Sequence, residues 1–174
     1  MQNKTRELTL LGILFGLALI LSFLESLMPP APFLPPGVKL GLSNIITMYC
    51  LLYLGIGQAY SLALLKAGFV LITRGAVAGV LSVSGGILSV SVMVLMMRPK
   101  KWSVSVFLLS VFGAVSHNLG QLMAASLLIG ETASLFYLPI LILSGVGMGA
   151  VTGGILRIVL PASGKLQQTL RKEA

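Results

Sequence analysis

The sequence predicts an all-α membrane protein with six transmembrane helices in one integral membrane domain, 1–174. Hydrophobic residues make up 56% of the chain and charged residues only 9%. The mean hydropathy is +1.02. These values exclude an ordinary soluble domain and a disordered chain.

Six apolar stretches define the expected spans, because a membrane helix needs about 20 mostly apolar residues at about 1.5 Å each. The stretches are 8–28, 40–54, 58–73, 76–97, 103–129 and 136–160. The first is long enough to span and has no Ala-x-Ala-like exit, so we expect it to be retained. The second and third are short, and are interpreted as tilted, broken or part of a re-entrant hairpin.

Basic residues set the expected orientation. With six crossings, one side carries Lys4, Arg6, Arg98, Lys100, Lys101, Arg157, Lys165, Arg171 and Lys172. Only Lys39 and Arg74 flank spans on the other side. The positive-inside rule therefore predicts that both termini are cytoplasmic, and the expected location is a prokaryotic plasma membrane. This placement also explains the net charge of +8 without a nucleic-acid partner.

The first outer connection, 29–39, holds five of the eight prolines. Proline fixes its backbone and lacks an amide donor, so this segment is expected to be a stiff extended loop rather than a helix. It is either a rigid spacer or a lid whose Phe33 and Leu34 cover a pocket from outside.

Small residues recur at helix-packing spacing and allow close backbone approach in lipid. The sets are Gly75 with Gly79, Ser82 with Gly86, and Gly145 with Gly149 and Gly153. Internal packing is the expected role of most of them. Gly12 and Gly16 lie in the cytoplasmic half of the first helix, where they either pack internally or face a partner subunit.

The few acidic residues, the single His and the single Cys restrict the catalytic and metal-binding chemistry that the chain can perform. Asp is absent, the four Glu are scattered, and there is one His and one Cys. A clustered carboxylate magnesium site or a hydrolytic metal centre cannot be assembled from this set. Gly164-Lys165 is followed by Leu166 and lacks the glycine spacing of a phosphate loop. We expect no metal, no cofactor and no enzymatic activity, with ATP hydrolysis on other subunits.

Polar side chains in the spans share one depth on the outer side. Counting at the helical rise places Glu25 about 17 residues from the cytoplasmic start of its helix. The others in this layer are Lys39, Asn44, His117, Asn118 and Gln121. Polar groups are costly in hydrocarbon, so this layer is the candidate solute-binding site.

His117 and Gln121 are four residues apart, so one helix face presents both. They bind solute, sense protons or join helices. Asn118 points about 100° away and contacts either the solute or a neighbouring helix. Glu25 and Lys39 either neutralise each other or bind opposite charges of a solute.

Lys66 lies near mid-depth, where an ammonium must pair, snorkel or line a wet cavity. Arg74, at the outer end of the same span, is interpreted as an interface anchor. Tyr137 follows the outer loop and is a candidate for the pocket border, whereas Trp102 is assigned to the membrane interface.

Two segments resemble the signature segments of the Gx transporter family, whose members are often labelled heptaprenyl diphosphate synthase component I. They are Pro35-Pro36-Gly37-Val38-Lys39-Leu40-Gly41-Leu42-Ser43-Asn44 and Ser116-His117-Asn118-Leu119-Gly120-Gln121. That family is similar to the six-helix S components of energy-coupling-factor (ECF) transporters. The resemblance implies an S-component-like bundle for vitamin or micronutrient uptake, docked through small residues on the first helix to a transmembrane subunit and two ATPases.

The leading hypothesis is therefore a substrate-binding subunit of an ECF-type importer that captures a small polar or anionic solute from outside. Lys39 would neutralise the solute, Glu25 would orient it, and Asn44, His117, Asn118 and Gln121 would supply hydrogen bonds. The alternatives are a non-catalytic accessory protein of isoprenoid or quinone metabolism and a self-sufficient channel or carrier.

Overall fold

The computed structural model of the protein describes residues 2–27, 41–98, 104–129 and 136–173, and within these ranges the chain is helical without a strand. The helices are α1 Gln2–Leu27, α2 Asn44–Tyr53, α3 Ile56–Arg74, α4 Ala76–Met97, α5 Val106–Ile129 and α6 Leu138–Glu173. The sequence-predicted connection 29–39, with Phe33, Leu34 and Lys39, lies outside the described residues.

Five of these helices are long and apolar enough to cross a membrane, as expected for a multi-pass membrane protein. They are α1, α3, α4, α5 and α6. Large apolar side chains cover their outer surfaces; Ile72, Leu127 and Leu143 are 84%, 86% and 71% exposed. Such a surface suits hydrocarbon, because a soluble monomer rarely exposes contiguous apolar patches of this kind.

The second helix is shorter than its predicted span. α2 has 10 residues, so it rises about 15 Å, against about 30 Å of hydrocarbon. Two glycines with positive φ limit it, Gly41 at +90° before the helix and Gly55 at +111° after it. Its interior is apolar and buried, and Cys50 is fully enclosed. The helix packs against every other helix and forms the centre of the bundle.

The ends of other helices also differ from those of the predicted spans. α3 begins at Ile56 and α5 at Val106. α6 continues through Pro161 to Glu173, although its apolar part ends at Pro161. The predicted Gly75–Gly79 packing pair is only half correct. Gly75 has φ +88° and ends α3, whereas Gly79 packs against Leu71.

Close glycine contacts join α4, α5 and α6 in sequence order. Gly120 of α5 faces the backbone of Ser84, and a Cβ there would lie 2.7 Å from the Ser84 carbonyl oxygen. Gly145 and Gly153 of α6 pack on the α5 backbone in the same way. Small residues permit this approach, which supplies the packing that drives helix association in lipid. These three helices therefore form the closely packed part of the bundle.

α1 is less enclosed, because in the described part of the chain it packs only against α2 and α3. Near its C-terminal end, the Glu25 carboxylate accepts a hydrogen bond from the Gly41 amide, and the Ser22 carbonyl accepts one from Arg74. At the other end, Arg6 and Tyr53 line one groove. α1 and α2 are therefore antiparallel, with each end of α2 beside the opposite end of α1.

Gly149→Ala is expected to destabilise the bundle, because a Cβ at Gly149 would collide with the Cα of Val111. The cost should be about 1–3 kcal/mol, as for other overpacked positions. Gly147→Ala is the matched control, since its Cβ would meet nothing within 4 Å. Thermal unfolding in detergent compares the two variants. Equal midpoints for both would contradict close α5–α6 packing.

Candidate functional site

A small polar cavity lies at the end of the bundle where α1 ends and α2 begins. Its volume is about 30 Å³. We call it the polar cavity. The described residues that line it are Ser22, Glu25, Gly41, Ser43, Lys66, Val70, Arg74, Ala78, Ser82, His117 and Gln121. Five helices or their ends thus supply its walls.

Glu25 is held in this cavity by the backbone at the start of α2. The carboxylate is 7% exposed, and its Oε1 accepts the Gly41 amide hydrogen at 2.6 Å. Gly41 has φ +90°, and a Cβ there would lie 2.7 Å from the side-chain nitrogen of Asn44. Only glycine takes this conformation readily. The local sequence therefore aims a backbone donor at the buried carboxylate.

Lys66 enters the cavity from α3. Its ammonium is buried and donates to the Ser43 hydroxyl at 3.0 Å and to Asn44 Oδ1 at 3.1 Å. Glu25 interacts electrostatically with both Lys66 and Arg74. A buried charge is tolerated where it has hydrogen bonds and an opposite charge nearby. The Lys66 ammonium is thus hydrogen-bonded inside the bundle and forms part of the cavity wall.

Arg74 lines the same cavity and was missed as a site residue. Its guanidinium donates to the Ser22 carbonyl oxygen at 3.2 Å, so it joins α3 to α1. Lys66, Val70 and Arg74 are spaced by four residues, which places all three on one helix face. This spacing is the sequence feature that indicates that Arg74 shares a helix face with Lys66. Ser22, Ser43 and Ser82 were also missed, because isolated serines in apolar helices are common.

His117 and Gln121 lie on the inner face of α5, as their spacing predicted. Both are buried, and Gln121 Nε2 donates a hydrogen bond to His117 Nε2 at 3.2 Å. Gly85 of α4 leaves room for the ring, since a Cβ there would lie 2.8 Å from His117 Cε1. The His117 ring also approaches Gly41.

The other predicted residues lie elsewhere. Asn44 borders a smaller neighbouring cavity of about 10 Å³ and reaches the polar cavity only through Lys66. Asn118 donates to the Leu141 carbonyl oxygen at 2.9 Å and to Ser144 Oγ at 3.2 Å, so its amide joins α5 to α6. Tyr137 is 39% exposed and does not line the polar cavity.

Several buried polar side-chain atoms have no hydrogen-bond partner within the described chain. They are Asn44 Nδ2, Thr47 Oγ1, His117 Nδ1, Asn118 Oδ1 and Gln121 Oε1. An unsatisfied buried polar atom costs about 1–3 kcal/mol. His117 Nδ1 and Gln121 Oε1 belong to residues that line the polar cavity, so a bound molecule that offers matching groups would recover part of this cost.

The charges of the polar cavity are unequal. Lys66 and Arg74 are cationic and Glu25 is anionic, which leaves one positive charge in excess when His117 is neutral. Within the described residues no group of three or more His, Cys, Asp or Glu is arranged to hold a metal. The donor set and the charge suit a small polar or anionic group.

The predicted docking residues lie on α1, away from the polar cavity. Gly12 is exposed and Gly16 is partly buried. A Cβ at either position would meet nothing within 4 Å, so neither glycine is required by packing inside the described bundle.

Electrostatic coupling between Glu25 and Lys66 is testable in a double-mutant cycle. Lys66→Met leaves Glu25 with less compensation, so Glu25→Gln should cost less in that background than in the wild type. The coupling should be about 0.5–3 kcal/mol, as for residues that share one polar network. Unfolding by denaturant in detergent measures it.

Tyr60→Phe is the matched control for this cycle, because Tyr60 lies near the start of α3 and the substitution removes only a hydroxyl that is hydrogen-bonded to Ser91 of α4. Combined with Glu25→Gln, it should be additive within about 0.5 kcal/mol. A Glu25–Lys66 cycle that is equally additive would show that the two charges act independently.

A family model described as heptaprenyl diphosphate synthase component I matches residues 14–159. The match includes α2 to α5 in full and most of α1 and α6. No curated protein and no solved structure matches the chain.

Proposed function

We propose that this chain, which belongs to the family described as heptaprenyl diphosphate synthase component I, is the solute-binding membrane subunit of an ECF-type importer. The family description names a component of a synthase, not a catalytic subunit by itself. The sequence contains no Asp, so the Asp-rich magnesium site of a prenyl synthase cannot be formed. The observation that carries the proposal is the convergence of Glu25, Lys66, Arg74, His117 and Gln121 on one cavity.

The chemistry of this cavity favours a solute with an anionic group. Lys66 and Arg74 would neutralise that group, while Glu25 keeps both cations in place through electrostatic attraction. Gln121 and His117 would supply hydrogen bonds through atoms that lack partners in the described chain. Asn44 would position Lys66. Charged side chains inside a membrane domain commonly mark such a solute site.

The size of the cavity implies movement on binding. About 30 Å³ holds a water molecule or two, whereas typical small-molecule sites measure about 300–1,000 Å³. Ser22 and Glu25 of α1 and the Gly41–Ser43 turn flank the segment 28–40, so separation of α1 from the start of α2 would enlarge the cavity. Lys39 precedes this turn by two residues and is proposed to neutralise the same solute. Asn118 and Tyr137 remain more distant candidates.

We further propose six crossings with both termini in the cytoplasm. α2 is short, yet its start lies beside Glu25 and its end shares a groove with Arg6 at the opposite end of α1. The chain therefore returns along α1 before α3 begins. This path keeps the basic residues Arg6, Arg98 and Arg157 on one side, which the positive-inside rule identifies as the cytoplasm.

This topology is testable by cysteine labelling. A membrane-impermeant maleimide added to intact cells should label Phe136→Cys, because Phe136 is 87% exposed at the outer end of α6. It should label Thr5→Cys only after permeabilisation. The wild type reports background labelling. Labelling of both positions, or of neither, in intact cells would contradict termini that share the cytoplasmic side.

Solute capture is tested by native mass spectrometry of the gently purified full chain. The wild type should retain an anionic small molecule, and Lys66→Met and Gln121→Leu should each reduce the retained fraction at least about tenfold, or about 1.4 kcal/mol. Tyr60→Phe should retain it like the wild type, because its hydroxyl bonds Ser91 outside the cavity. Equal retention by all four proteins would refute the site.

Partners are identified by copurification from native membranes. The importer role predicts a transmembrane subunit and two ATPases, which the resemblance to ECF S components implies. Gly12→Leu and Gly16→Leu should weaken this association while preserving solute retention. Copurification of a soluble synthase instead would favour an accessory role in isoprenoid metabolism. Solute flux in liposomes without partners would favour a carrier.

A further inference from the structure

A second concave surface lies at the opposite end of α1 from the polar cavity. It is a groove of about 490 Å³ between α1 and α2, with Val159 of α6 at its edge. We call it the α1 groove. α1 and α6 do not pack against each other in the described part of the chain, which leaves this space. Its walls are mainly apolar, and Tyr49 and Tyr53 stack their rings at 4.6 Å on one side.

We propose that the α1 groove binds one hydrocarbon chain of a membrane phospholipid with a zwitterionic headgroup of the phosphatidylethanolamine type. The headgroup phosphate would lie beside Arg6 and the ammonium beside Glu7. This inference is independent of the proposed transport function, because it rests on none of the polar-cavity residues.

The length of the groove matches one leaflet. Its α1 wall begins at Arg6 and Glu7 and ends at Leu17, a rise of about 16 Å. Half of the hydrocarbon thickness is about 15 Å. A chain whose headgroup lies at the membrane surface would therefore extend along the groove and end near the middle of the bilayer.

The depth of the groove suits a single hydrocarbon chain. Leu14 is 7% exposed and forms the floor, whereas Ile13 and Leu17 are 57% and 44% exposed and form a rim that faces the membrane. A single acyl chain fits, and the bilayer supplies it at that depth.

The charges at the end of the groove select the headgroup. Arg6 and Glu7 both line it, one cationic and one anionic. A phosphate with an adjacent ammonium offers complementary charges to this pair, whereas an anionic headgroup without an ammonium would meet the Glu7 carboxylate unfavourably. The stacked tyrosines add flat apolar surface at interfacial depth, where tyrosine is generally enriched.

The groove lies on the side of α1 away from Gly12 and next to Gly16. At about 100° per residue, Gly12 lies about 160° around the helix from Leu10, which lines the groove, whereas Gly16 lies about 60° from Ile13 at the rim. A phospholipid in the groove and a subunit on Gly12 would therefore contact different sides of α1.

The test uses the full chain reconstituted in vesicles of equimolar phosphatidylethanolamine and phosphatidylglycerol, then released for native mass spectrometry. The wild type should retain one phospholipid, with phosphatidylethanolamine enriched at least about threefold over its share. Leu10→Trp, which fills the groove, should reduce retention at least fivefold. Ile72→Trp is the matched control on an exposed position of α3 and should retain lipid like the wild type.

Glu7→Gln tests the headgroup assignment, because loss of the carboxylate should shift retention toward phosphatidylglycerol. Equal retention by Leu10→Trp and the wild type would overturn the groove as a lipid site. Equal use of both lipids by the wild type and by Glu7→Gln would overturn the headgroup assignment. In protein purified directly from native membranes, a prenyl diphosphate or a protein subunit that is retained by the wild type and lost in Leu10→Trp, in place of a phospholipid, would overturn the proposed occupant.

Discussion

The need to neutralise ionic groups inside a membrane domain constrains the arrangement of the whole bundle. The buried charges of Glu25 and Lys66 must be compensated within the protein, because hydrocarbon offers no hydrogen bonds. Compensation requires the end of α1, the Gly41 turn and the middle of α3 to meet at one point. The helix contacts at this end thus follow from electrostatics as much as from apolar packing.

The two parts of the bundle are stabilised in different ways. α4, α5 and α6 approach closely through glycines, so their geometry is fixed by backbone contact over their lengths. In the described part of the chain, α1 is attached by hydrogen bonds at Ser22 and Glu25 and by side chains such as Leu14 packed on α2. A site built between these two parts combines a rigid wall from α5 with a wall from α1 that fewer contacts restrain.

Much of the fold was predictable from the sequence, and the reasons are specific. Hydrophobic length identified the long helices, and helical spacing placed His117 and Gln121 on one inner face. Depth counting brought Glu25 to the same level.

The prediction was incomplete for α2, because hydropathy measures apolar length and does not register that Gly41 and Gly55 limit a buried helix. Asn118 was ambiguous, since an amide that joins helices and one that contacts solute have the same signature. Arg74 was assigned to the interface because its position at a helix end suggested it, although its spacing from Lys66 indicated a shared face.

Because Cys50 is completely enclosed, the reactivity of its thiol reports the opening of the bundle. The thiol is 0% exposed within the cluster that includes Leu14 and Leu62, so an alkylating reagent reaches it only when α1 or α2 transiently separates from α3. When reclosing is faster than alkylation, the reaction rate reports the equilibrium population of the open form. Alkylation of the native thiol thus measures transient opening at the centre of the molecule, and no substitution is required.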